Sequence, residues 1–223
     1  MGLWALPMLA GCFSTSIAQM PEALPAGEGQ FGVGVGLATS RRSEQVALAP
    51  EISARYGVVE RLELAAKTNF THVEGQLKGQ LIDGDFDLSL ALAAATSKDP
   101  DTDSIFDEDA DHFDRMLSGR ALLLAGQRLG SGVDLVVVGS GLIGKRSARE
   151  FGYGQAWHGR FAGVGGGVGI LLRGRACFMP EFVFTRIVAG AAPDFVESLR
   201  QGDVIVQVAL TGMVGGGCSR APP

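Results

Sequence analysis

No stretch of this sequence is apolar for the ~18 residues that a membrane-crossing helix requires, although hydrophobic residues make up 46% of it and its mean hydropathy is +0.21. A helical membrane protein is thereby excluded. Proline is scarce, with 9 residues against 33 glycines in 223, so neither a collagen-like nor a proline-rich disordered chain fits. Glycine is needed inside ordered segments. Lysine and arginine are scattered singly without interleaved aromatics, and the net charge is -5. No basic stripe offers itself to phosphates, and nucleic acid is not an expected partner.

The dominant pattern is alternation. In Arg61–Phe70, Arg61, Glu63, Lys67 and Asn69 fall on one face and Leu62, Leu64, Ala66 and Phe70 on the other, the period of a half-polar strand. The rhythm recurs in Gln76–Leu81, Phe86–Leu92 and Asp203–Val208. About ten such segments are expected, over 30–39, 46–56, 61–71, 75–82, 86–96, 115–127, 132–141, 159–171, 174–186 and 202–213. Their lengths suit tilted strands crossing a bilayer. The links at 57–60, 83–85, 128–131 and 172–173 are turn-like, whereas 97–114, 142–158 and 187–201 are long and polar. Long loops gathered at one end and short turns at the other are the plan of a membrane barrel, which a sandwich with crossing connections has no reason to follow.

The fold class expected is therefore all-β: an antiparallel up-and-down transmembrane β-barrel of about ten strands, within a range of roughly 8 to 12. A charge at mid-bilayer on the lipid face costs about 2–4 kcal/mol, so the strand charges must face inward. They are Glu51, Arg55, Glu63, Lys67, Lys78, Asp87, Arg120, Asp134, Arg160, Arg175 and Glu181. In so narrow a barrel they would pair across the interior, giving a filled lumen instead of an open pore. The opposite assignment, apolar face inward around a lipophile, describes a lipocalin-like cup.

The N-terminus adds an export signal. Leu9-Ala10-Gly11-Cys12 resembles a bacterial lipobox, which implies cleavage before Cys12 and its lipidation; Ser16-Ile17-Ala18 offers a rival cut that would release a chain starting at Gln19. The first basic residue is Arg41, so the basic start of such signals is missing. Cys177 and Cys218 are left either as a disulfide or as two free thiols. Together with the opening strand Gly29–Gly36 and the strand-turn-strand stretch Pro50–Leu64, the chain resembles bacterial outer-membrane β-barrel proteins, including those with a lipoprotein-type signal. The resemblance implies an outer-membrane location, surrounding lipid and the barrel-assembly machinery as partners, a monomer, and no cofactor. It divides the chain into a signal segment 1–18, a periplasmic lead-in 19–29, a barrel 30–215 and a tail 216–223. The implied role is non-enzymatic: structural, or limited small-solute passage or surface binding through the loops. A lipid-anchored carrier of a lipophile and a surface hydrolase are the alternatives.

Sharper motifs compete with this reading. Asp134–Gly144 runs an apolar strand into GxGxxG, but Lys145–Gly154 lacks the apolar stripe of a crossover helix. Gly139 to Lys145 nearly spells a phosphate loop, with Arg146 where Ser or Thr belongs. A strand entering an external loop is the expectation. Asp99, Asp101, Asp103 and Asp107 have the spacing of oxygen ligands, so a loose calcium site in that loop is a candidate, although Ser104 and Ala110 break the EF-hand pattern. His72, His112 and His158 fall near strand ends, with Ser140 or Ser147 as conceivable partners. No spacing fixes a nucleophile beside its base, and no enzyme is expected.

Overall fold

The computed structural model describes residues 16–17, 19–40, 46–69, 71–98, 113–149, 156–190 and 201–218. Ten strands are present: β1 (Gly29–Ser40), β2 (Val46–Val59), β3 (Leu62–Thr68), β4 (His72–Ile82), β5 (Phe86–Lys98), β6 (Phe113–Gly130), β7 (Val133–Arg149), β8 (Ala156–Leu172), β9 (Cys177–Gly190) and β10 (Val204–Gly215). Each pairs antiparallel with its sequence neighbours, and β1 closes on β10 from Gln30↔Gly215 to Ser40↔Ile205. The barrel is up-and-down, and among the described residues there is no helix. Closure leaves no unpaired strand edge, the condition for crossing hydrocarbon with a sheet.

The short turns lie where the sequence puts them, between β2 and β3, β4 and β5, β6 and β7, and β8 and β9. Gly132 in the β6–β7 turn has φ +90°, a conformation that only glycine adopts without strain. The alternation sorts the faces as expected. Phe31, Val33, Val35 and Leu37 of β1 point outward, as do Leu64, Leu77, Leu90, Leu92 and Leu123 on later strands. Phe31, Tyr56, Phe86 and Phe178 face outward close to the short-turn rim on β1, β2, β5 and β9, the level at which membrane barrels place interfacial aromatics.

Three expectations need correction. The link expected at 142–158 is largely strand: β7 continues to Arg149 and β8 begins at Ala156. The GxGxxG glycines therefore sit within a strand paired on both sides, with no helix for a dinucleotide to meet. Arg160 faces outward because it occupies an even position of β8, whose odd positions line the lumen, and Arg175 is exposed in the β8–β9 turn. The other nine members of the expected charge network face inward, Arg120 partly and the rest buried.

Candidate functional site

The lumen is occupied by the chain's own N-terminal segment. Ser16, Ile17 and Gln19 to Leu24 are all buried inside the barrel, whereas Pro25 to Gly29 are exposed at the short-turn rim. The chain runs through the interior, leaves it at that rim and turns into β1. Two lumen glycines make room for it. A side chain at Gly126 would overlap the Pro21 ring, and one at Gly57 would meet the carbonyl oxygens of Leu24 and Pro25. Backbone approach of this kind is open to glycine alone.

One wall, from β2 to β5, is ionic. Arg55 donates from Nε and Nη2 to the two carboxylate oxygens of Glu63, both at 2.7 Å, and Lys78 Nζ lies 3.0 Å from the same carboxylate. These groups also hold the segment. Lys78 donates to the carbonyls of Met20 (2.9 Å) and Glu22 (2.8 Å), Arg55 to that of Glu22 (3.2 Å), and the Leu24 amide donates to Glu63 (3.0 Å). Lys67 stands between Glu51 (3.7 Å) and Glu74 (3.6 Å) and donates to the Ser16 carbonyl at 3.0 Å. Glu74 continues the chain of charges to Arg120 at 2.8 Å. The Ala23 amide donates to Gln80 at 3.0 Å, Gln19 bonds Gln76, and Ser89 donates to the Pro21 carbonyl. An extended segment has no ladder of its own, so its buried amides and carbonyls must find such partners.

The other wall, from β6 to β10, is mostly apolar. Ile17, Met20 and Leu24 pack with Leu122, Leu124, Val136, Val138, Leu171 and Met179, among others, in one buried cluster. Cys177 and Cys218 belong to it and are joined by a disulfide, with Cα atoms 5.3 Å apart, which resolves the alternative that the sequence left open. Glu181 reaches in from this side to accept the Ile17 amide at 2.9 Å. At the short-turn rim Arg173 bridges Asp134 and Glu22, with Asp134 2.7 Å from Nε, and donates to the Gly217 carbonyl at 2.5 Å. Burial by itself would lower the Arg173 pKa, but the Glu22 and Asp134 carboxylates hold it above its ordinary value. The guanidinium locks segment, wall and C-terminal turn together.

What remains open is small. Among the described residues, one gap of about 10 Å³, room for a single water, lies among Ile17, Gln19, Arg55, Lys67 and Gln76, and a second of about 10 Å³ among His72, Glu74, Met116, Ser118, Arg120 and Leu142. His72 is buried with Nε2 4.0 Å from Glu74, opposite Ser97 in the β4–β5 register. Neither His72 nitrogen has a hydrogen-bond partner, so no relay from a base to a nucleophile is formed there. His158 Nδ1 and Ser147 Oγ are 2.8 Å apart on the outer surface. Among the described residues no group of His, Cys, Asp and Glu could hold a metal. Cys12, His112 and the candidate calcium ligands Asp99, Asp101, Asp103 and Asp107 lie outside the described residues.

Sequence reasoning missed Glu22, Glu74, Gln76, Gln80, Ser89 and Arg173. The β4 members share the even parity of Lys78 and could have been found by extending it. Glu22 stands in no strand, and nothing local marks it as a lumen residue.

No protein-family model and no curated protein matches the chain. Solved structures do. Neisserial surface protein A is similar at 10% identity over 84% of this chain and 95% of its own, with a TM-score of 0.41. Ail, the attachment invasion locus protein of Yersinia pestis, is similar at 12% identity over 86% and 98%, with a TM-score of 0.43. The outer membrane protease OmpT from Escherichia coli is similar at 8% identity over 84% and 94%, with a TM-score of 0.42.

Proposed function

We propose that this chain is a bacterial outer-membrane β-barrel closed by its own N-terminal segment, with a non-enzymatic role in the envelope exerted through the long-loop rim. The closed barrel, its apolar exterior and its charged interior supply the membrane reading. The buried course of Ser16–Ile17 and Gln19–Leu24 carries the functional one. A barrel whose interior is taken up by chain and paired charge is a scaffold for what it displays, and solute passage is not its work. The same filling argues against a lipophile carrier, whose ligand would need that interior.

Fractionation with heat-modifiable gel mobility tests the location: a membrane barrel stays with the outer membrane and migrates differently before and after boiling. Planar-bilayer recording tests the closure. The intact protein gives no steady conductance, whereas a variant lacking 19–24 that retains its heat-modifiable mobility conducts. Steady conductance from the intact protein, equal to that of the deletion, would refute the proposal.

A further inference from the structure

Every strand residue with a described, outward-facing ionised side chain is basic. These residues are Arg115 on β6, Lys145 on β7, Arg160 on β8 and Arg186 on β9, all exposed and all on four consecutive strands. No Asp or Glu faces outward on any described strand residue: Glu51, Glu63, Glu74, Asp87, Asp134 and Glu181 are all buried in the lumen.

The four occupy the long-loop half of the barrel. Lys145 stands twelve residues beyond the first residue of β7, Val133, and Arg160 twelve before the last of β8, Leu172. Tilted strands rise roughly 2.5 Å per residue along the barrel axis, so both cations lie about 30 Å from the short-turn rim, where the hydrocarbon ends. Arg115 is higher still. Arg186, nine residues past Cys177, is the lowest. Lys145 and Arg160 are register partners. In the row above, Arg115 faces Ser147 and Ser147 faces His158, whose ring is bonded to that serine. In the row below stands Ile143, 68% exposed, with Leu117 beside Lys145. The surface thus changes from apolar to cationic within one row.

We infer that this face of β6–β9 docks phosphorylated lipid headgroups of the leaflet around the long-loop rim. The inference rests on the membrane-spanning reading proposed above. Basic groups at this depth meet the phosphate layer, which supplies counter-charges that no described outward strand residue provides. β6, β7 and β8, at 18, 17 and 17 residues, are the longest strands. They exceed the ~9–11 residues that crossing requires, and the excess carries the cations to headgroup level. Arginine brings a planar fork that matches phosphate oxygens, and lysine a point charge.

The test uses the full-length protein in nanodiscs of phosphatidylcholine containing a minority of phosphatidic acid, whose headgroup is a phosphomonoester. Native mass spectrometry counts the lipids that stay bound on release. The expected result is enrichment of phosphatidic acid over its bulk share, falling about fivefold for each cation removed in Lys145→Gln and Arg160→Gln, with heat-modifiable mobility unchanged. Bound phosphatidic acid at the bulk ratio around the unaltered protein, or enrichment that survives the double substitution, overturns the inference. Failure of the unaltered protein to enter nanodiscs overturns the membrane reading beneath it.

Discussion

The two walls of the lumen solve the same packing problem by opposite means. The β2–β5 wall grips the N-terminal segment by its backbone, with Lys78, Arg55, Lys67, Glu63 and Gln80 supplying the missing hydrogen-bond partners. The β6–β10 wall grips it by its side chains, burying Ile17, Met20 and Leu24 against Leu124, Val136 and Met179. A narrow barrel that houses an extended peptide must meet both halves of its chemistry. Its polar backbone has to be satisfied, and its apolar side chains need a dry surface. Neither wall alone would hold it.

Substitutions can set the two walls against each other. The largest effect is expected from Lys78→Met, which leaves Glu63 with a single cation and takes the ammonium from the Met20 and Glu22 carbonyls. Breaking such a buried network costs about 3–5 kcal/mol, to be read as a lowered urea midpoint of the vesicle-inserted protein. On the apolar wall, Leu124→Ala should cost about 2–5 kcal/mol because it opens a cavity beside the segment. Its neighbour Leu123, 49% exposed on the outer face where Leu124 is fully buried, should cost distinctly less on the same substitution. Equal losses would mean that the apolar wall is not packed. Replacing both cysteines by serine removes a cross-link between residues 41 apart in sequence. The expected loss is about 2–4 kcal/mol, visible as a lower melting temperature that reducing agent reproduces in the unaltered protein. The smallest effect, about 1–3 kcal/mol of overpacking, is expected from Gly126→Val, which pushes a side chain into the Pro21 ring. This change should expose the segment to protease while the barrel keeps its gel mobility.

The ten strands and the closed barrel with its charges inside were legible because one face of each strand is apolar and the links alternate in length. The expected pairing of charges across the lumen gives way to pairs between neighbouring strands, with the N-terminal segment filling the interior. Residues such as Glu63, Lys67 and Lys78 sit in the lumen because a charge on the lipid face is costly, and period two fixes the rest. Legibility failed where that contrast fails. Along Leu122-Leu123-Leu124 both faces are apolar, so the dry wall leaves no trace in the alternation. Above the hydrocarbon the outer face turns polar, which is why Arg160 passed for a lumen residue and why Leu142–Arg149 passed for a loop. The segment itself resembled a lead-in. Its hydrogen-bond partners lie 33 to 164 residues away in sequence, and no local pattern encodes contacts of that range.

Hydrogen exchange at the amides of Ala23 and Leu24 addresses the central claim most directly, since each donates to a lumen side chain, Gln80 or Glu63, at 3.0 Å. In the membrane-reconstituted protein both amides should exchange as slowly as those in the middle of β4, and Lys78→Met should speed them. Exchange at the rate of an unstructured peptide would mean that the segment lies outside the barrel and that something else fills the lumen.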